Sequence, residues 1–183
     1  MELLGRLGLP FVVKPANIDE SMKGDESPSR YLERIVLAKM EAVCSDATPG
    51  AGVLVADTIV IAPGGNILGK PVDDDEAGSM IARLAGATHE VATRFAIAGV
   101  GANGFSVLCA QTAVTRVTFR ALSPSEILDY VATGEGRDKA GGYAVQGLAA
   151  AFVERIDGSF TNVVGLPLSE LCVALRALGW LGA

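Results

Sequence analysis

The stretch VLVADTIVI, from Val53 to Ile61, decides the fold. Its apolar residues are nearly continuous, which is typical of a strand that is covered on both faces. Asp57 interrupts the run, and a carboxylate among aliphatic side chains is costly unless it is paired, bound to a cation or used in a reaction. A structural interpretation is also open, in which Asp57 ends a strand and caps the next turn. The residues alone do not choose between the two.

Helices and further strands are predicted outward from this segment. The pattern of apolar residues, capping residues and acidic first turns predicts helices over 2–8, 28–44, 73–84, 123–133 and 168–178. Alternating residues predict strands over 11–13, 88–99, 105–119 and 151–156, and the turn at 101–104 joins the middle two in a hairpin. Helices thus alternate with strands, and we expect one α/β domain over residues 1–183.

Composition limits the function classes. The net charge of −6 over 183 residues argues against broad binding of nucleic acid or membranes, which favours a basic surface. A phosphorylated small molecule stays compatible, since a few local lysines can override the overall sign. The absence of a recognisable signal peptide or long apolar run makes the cytoplasm the expected location. The three cysteines have no metal-ligand spacing and are expected to be free, buried thiols.

Several polar residues are candidates for chemistry on a polyphosphate. Lys70 precedes Pro71, so its backbone is restricted to an extended conformation. Lys39 lies on an otherwise apolar helix face, where it reaches either solvent or a cleft. The glycine-rich segment 138–143 offers Lys139 for phosphate, although it matches no standard nucleotide motif. Together with Asp57, these residues are compatible with metal-assisted phosphoryl chemistry.

Two other residues are more typical of structural or solvated positions. Glu20 lies in a polar loop and, without further information, is interpreted as solvated. His89 is the single histidine, which excludes a multi-histidine metal site, and it is interpreted as a structural residue.

Seven stretches, in order along the chain, resemble the Maf family of nucleoside triphosphate pyrophosphatases. They are ELLGRLGLPF (2–11), YLERIVLAK (31–39), ADTIV (56–60), LGKP (68–71), LAGATHEV (84–91), DKAGGYAVQG (138–147) and GSFTNVVGLPL (158–168). The resemblance implies a fold similar to the inosine triphosphate pyrophosphatases: an elongated mixed sheet flanked by helices, with two lobes around a nucleotide cleft. It also implies hydrolysis between the α and β phosphates, giving a monophosphate and pyrophosphate.

The resemblance assigns roles to individual residues. The family's general base falls on Asp57, and its other polar site residues fall on Glu20, Lys39 and Lys70. A divalent metal, Mg²⁺ or Mn²⁺, is implied, with Glu20 and Asp57 as the predicted ligands. A homodimer is implied as well.

The resemblance also extends to the substrate. Thr58 and Gln146 match the members that act on dTTP and UTP rather than on 7-methyl-GTP, and both side chains can hydrogen-bond a pyrimidine edge. Activity of the inosine triphosphate type is a weaker alternative.

The N-terminus departs from the family pattern. The family normally opens with a strand and a Ser-x-Ser-Pro-Arg-Arg loop, whereas this sequence begins with the helix that follows them. That loop leads into a helix N-terminus and is suited to hold a triphosphate. We therefore expect either a longer natural protein or an impaired form. The impaired form would be a nucleotide-binding protein without turnover, or a regulator of cell division (septum formation).

Overall fold

A five-stranded antiparallel sheet forms the framework of the computed structural model, which describes residues 2–182. The strands are β1 (Gly52–Ile61), β2 (Ile67–Leu68), β3 (Thr88–Gly101), β4 (Gly104–Phe119) and β5 (Val153–Asp157). Their order in the sheet is β2-β1-β3-β4-β5. The tight turn after β1 pairs Val60 with Leu68, and β5 pairs with β4 so that Val117 faces Ile156. The expected α/β fold is confirmed.

Six α-helices accompany the sheet in the described residues. They are α1 (Glu2–Gly5), α2 (Pro28–Cys44), α3 (Asp74–Leu84), α4 (Pro124–Ala132), α5 (Phe160–Val164) and α6 (Leu168–Ala177). The three helices α2, α3 and α4 begin where local capping chemistry directs, at the side chains of Ser27, Asp73 and Ser123. None of the helices among residues 2–182 is both long and apolar enough to cross a bilayer.

The chain divides into two compact units. The first comprises Met1–Asp57, Thr93–Ala113 and Gly165–Ala183. One face of its part of the sheet packs on α2, where Val36 and Met40 contact a cluster that includes Val53 and Val55. A second cluster joins Phe95 and Ile97 to α6 through Leu171. These contacts fix α2 against the N-terminal half of β1.

The second unit comprises Thr58–Ala92 and Val114–Val164. Its core joins the C-terminal half of β1 to α3 and α4 through Val60, Ile81, Leu84 and Tyr130. Two short 3-10 helices, Ala140–Gly142 and Leu148–Phe152, follow α4 and complete this core. The glycine-rich segment predicted from the sequence therefore belongs to the second unit.

Several local predictions differ from the structure. The helix expected over 2–8 ends at Gly5, and a turn follows it. The strand predicted at Phe11–Val13 is wrong, because these residues lie in an irregular segment and Val12 is 86% exposed. A strand needs a neighbour to pair with. The strand expected from residue 151 begins at Val153, since Ala151 and Phe152 complete a 3-10 helix. The short helix α5 was not predicted.

The cysteines were predicted to be free and buried, and only the first part is confirmed for all three. All three are free thiols, but only Cys44 is buried, while Cys109 and Cys172 are half-buried.

Candidate functional site

Asp57, Lys39 and Glu20 form a charged cluster in the first unit. The Lys39 ammonium lies 2.6 Å from Asp57 Oδ1 and 2.8 Å from Glu20 Oε1. The side chains of Lys39 and Asp57 are only 16% and 14% exposed, whereas Glu20 is 41% exposed. One cation therefore joins two carboxylates at the boundary between core and solvent. The costly position of Asp57 in its strand is explained by this pairing.

Helix α2 brings Lys39 to the cluster. Its buried face includes Leu32, Ile35, Val36 and Met40, and Lys39 extends from the edge of that face. Burial acts to lower the pKa of Lys39, but hydrogen bonds to Asp57 and Glu20 outweigh it and raise the pKa above its ordinary value. Lys39 is thus a stable cation, and its ion pair favours the carboxylate form of Asp57.

Two α2 side chains hold the loop that carries Glu20. The Tyr31 hydroxyl donates a hydrogen bond to the Glu20 carbonyl at 3.0 Å. The Arg34 guanidinium donates to the Ser21 carbonyl at 3.0 Å and forms an ion pair with Glu26. Burial, and then the charges of Asp57 and Glu20, raise the pKa of Tyr31, so the hydroxyl stays a donor.

Tyr31 and Arg34 were not predicted from the sequence as parts of the site. The signal that could have pointed to Tyr31 was its place in the YLERIVLAK stretch, at the start of the helix that carries Lys39.

A cavity of about 870 Å³ opens beside this cluster within the first unit. It is lined by Glu20 and Lys39, by β1 from Gly52 to Ala56, and by the irregular segment around Phe11–Lys14. Its volume lies within the range of small-molecule pockets. Glu20 and Lys39 thus border a space large enough for a ligand, and Asp57 follows the last lining residue of β1, Ala56.

The second unit holds a separate group of charged residues. The Lys139 ammonium lies 2.6 Å from Asp138 Oδ1, and the Gly141 N–H donates to the Gly69 carbonyl at 2.9 Å, next to Lys70. The hydrogen bond from Lys139, together with the charges of Lys139 and Lys70, lowers the pKa of Asp138. Asp138 is thus influenced by both lysines, Lys139 directly and Lys70 through its charge alone.

Thr58 and Gln146 take different positions. Thr58 follows Asp57 in β1 and is half-buried, whereas Gln146 is exposed in the turn after Val145. Their predicted contact with a pyrimidine stays a prediction.

The donor set of the first unit fits a hard divalent cation. Carboxylate oxygens of Glu20 and Asp57 converge on one positive centre, the Lys39 ammonium. Over residues 2–182 no cluster of three or more His, Cys, Asp or Glu side chains is placed to hold a metal. Mg²⁺ is commonly held by one or two carboxylates together with substrate phosphates, so two carboxylates suffice.

Comparisons with known proteins give a single family. A family model described as a Maf-like protein matches residues 1–178. The chain is 46% identical over 180 residues to a dTTP/UTP pyrophosphatase of Hahella chejuensis, covering 97% of this chain and 87% of that protein. It is 45% identical over 178 residues to a dTTP/UTP pyrophosphatase of Syntrophomonas wolfei, with 97% and 92% covered. A dTTP/UTP pyrophosphatase of Geobacter sulfurreducens is 46% identical over 180 residues, with 98% and 91% covered.

Proposed function

Since the chain belongs to the Maf family, we propose that it is a nucleoside triphosphate pyrophosphatase that converts dTTP or UTP to the monophosphate and pyrophosphate. The observation that carries this proposal is the pair of carboxylates, Glu20 and Asp57, joined by Lys39 beside a ligand-sized cavity. The relatives named dTTP/UTP pyrophosphatase support the substrate class.

Asp57 is the general base in this proposal. Its carboxylate accepts a proton from a water molecule while the water oxygen forms a bond to the α phosphorus. The bond between the α and β phosphates breaks, and pyrophosphate leaves with the electron pair. Lys39 favours the ionised carboxylate, which is the form that a base requires.

Cationic side chains bind the phosphates. Lys70 and Lys139 have ammonium groups that suit phosphate oxygens, and Lys139 is 42% exposed, so it can exchange Asp138 for a ligand. Such groups stabilise the negative charge that develops on the leaving pyrophosphate. Lys39 serves the same end in the first unit.

A divalent ion, Mg²⁺ or Mn²⁺, would be held by Glu20 and Asp57 together with phosphate oxygens. When bound, it neutralises charge on the triphosphate and orients it. Thr58 and Gln146 are the proposed hydrogen-bonding partners of the pyrimidine.

The test is release of pyrophosphate from dTTP, UTP, ITP and 7-methyl-GTP with Mg²⁺. We expect dTTP and UTP to be preferred, and Asp57→Asn to lower kcat by about 100-fold or more, the usual contribution of a general base. Asp129→Asn, an exposed carboxylate on α4, is the matched control and should keep full activity. Equal activity of Asp57→Asn and the wild type would remove Asp57 as the base. Nucleotide binding without turnover in the wild type would instead support the alternative of a binding or cell-division protein.

A further inference from the structure

His89 is a buried titratable group that the proposed reaction does not use. It lies at the start of β3, where it is 2% exposed. Burial lowers its pKa from 6.5 to about 4, so the imidazole is neutral near pH 7 and carries a single N–H.

The imidazole and the Tyr143 hydroxyl form a buried polar pair. Nε2 of His89 lies 2.8 Å from the Tyr143 oxygen, while Nδ1 meets no hydrogen-bond partner in the part of the chain that the structure describes. The two groups carry two polar hydrogens and share one hydrogen bond. A buried polar group that lacks a partner lowers stability and calls for an explanation other than filling the core.

Packing restrains both rings of the pair. Phe119 lies edge-on to His89 at 5.0 Å between ring centroids, and edge-on to Tyr143 at 4.9 Å. Tyr143 is only 5% exposed. The hydroxyl is therefore fixed in direction, and the backbone of Tyr143 is fixed with it.

Tyr143 ends the segment that carries Lys139. Two glycines, Gly141 and Gly142, precede it with φ of 71° and 73°, a conformation that favours glycine. At Gly141 a Cβ atom would lie 2.9 Å from the Val60 side chain, and the Gly141 N–H donates to Gly69. The C-terminal half of the segment is thus held at two points, at Gly141 by the Lys70 turn and at Tyr143 by His89.

We propose that His89 is a positioning residue, which acts through the Tyr143 hydroxyl to hold residues 138–143 where Lys139 binds the triphosphate. This inference rests on the proposed function, because it assigns Lys139 to phosphate. His89 itself touches no substrate. Its loss affects nucleotide affinity and leaves the chemical step unchanged.

The variant Tyr143→Phe removes the hydroxyl and keeps the ring. We expect KM for UTP, and Kd for a non-hydrolysable α,β-imido analogue of UTP, each to rise about fivefold, the effect of one net hydrogen bond. The kcat should stay within twofold. His89→Leu should give the same change, the double variant no further change, and His89→Gln, whose amide can reach Tyr143, a partial rescue.

Thr115→Val is the control for general destabilisation of the same unit. The Thr115 hydroxyl is buried and hydrogen-bonds Ser159 and Asn162, away from residues 138–143. It should lower the melting temperature without changing KM. Unchanged KM and Kd in Tyr143→Phe, or an equal rise in Thr115→Val, would overturn the inference. If the wild type releases no pyrophosphate, the proposed function fails, and the Kd of the analogue alone decides the role of His89.

Discussion

Lys39 occupies a position where an amphipathic helix usually has an apolar or fully solvated side chain. Its ammonium is instead held between Glu20 and Asp57, which are 18 or more residues away along the chain. Without this cation the two carboxylates would face each other, and like charges favour the protonated form. Lys39 therefore sets the electrostatics of the cluster as well as its geometry.

The variant Lys39→Met should move the acidic limb of the pH profile of kcat/KM to higher pH, because the base is then protonated more readily. The profile is measured by pyrophosphate release between pH 5 and 9. Lys23→Met, in the exposed loop before α2, is the control and should keep the wild-type limb. An acidic limb at the wild-type pH in Lys39→Met would mean that Lys39 does not act on the base.

Tyr31 is the residue that ties Glu20 to α2, and its hydroxyl can be removed without changing the ring. In Tyr31→Phe we expect the Mg²⁺ concentration for half-maximal activity to rise roughly fivefold, since one hydrogen bond to the Glu20 carbonyl is lost. The kcat at saturating Mg²⁺ should stay near that of the wild type. Direct Mn²⁺ binding, followed by its electron paramagnetic resonance signal, should weaken by the same factor. An unaltered metal requirement would show that Tyr31 does not position a metal ligand.

Helix boundaries could be predicted from the sequence because their causes are local. Ser27 and Ser123 cap α2 and α4 within three residues of the backbone N–H groups that they accept from. The strand expected at Phe11–Val13 failed because strand formation depends on a neighbour that is distant in sequence. The same limit applies to the site: Asp57 and Lys39 could be identified, but their shared ion pair with Glu20 depends on how α2 packs against β1.

Substitution by alanine should have opposite effects on stability at two glycines of the second unit. A Cβ at Gly136 would lie 1.9 Å from the Gly142 carbonyl oxygen, so Gly136→Ala must displace the backbone of the segment that carries Lys139. We expect a loss of about 1–3 kcal/mol in the free energy of unfolding and a raised KM for UTP. A Cβ at Gly78, within α3, would meet only side-chain methyl groups at 4.0 Å. Gly78→Ala should therefore stabilise the protein by about 0.5–1 kcal/mol and leave KM unchanged. Denaturant titration measures both, and a stable Gly136→Ala variant with normal KM would contradict the tight fit of the segment.

At the scale of the whole molecule, the contributions of His89 and of two carboxylates to the free energy of unfolding are lost in different pH ranges. Ion pairs and hydrogen bonds from Arg34 and Arg120 lower the pKa of Glu26 and Glu126 to about 2. The stability that both carboxylates contribute is present above their ordinary pKa of 4.5 and is lost as the pH falls toward 2. Protonation of His89 affects stability at higher pH, between pH 6.5 and about 4.

The sign for His89 follows from its lowered pKa. Between pH 6.5 and 4 the unfolded chain binds a proton that the folded protein excludes, so stability is complete above pH 6.5 and falls as the solution is acidified. The lowered pKa of His89 corresponds to about 3 kcal/mol of unfolding free energy lost between pH 6.5 and 4. We expect the free energy of unfolding of the wild type, measured by denaturant titration at each pH, to decline from pH 7 to pH 4. His89→Leu has no imidazole to protonate, so its decline should be smaller by about that amount, while its loss below pH 4 should match the wild type. Parallel curves for the two proteins from pH 7 to pH 4 would mean that the imidazole gains its proton without disturbing the folded state, and that the buried pair with Tyr143 opens readily.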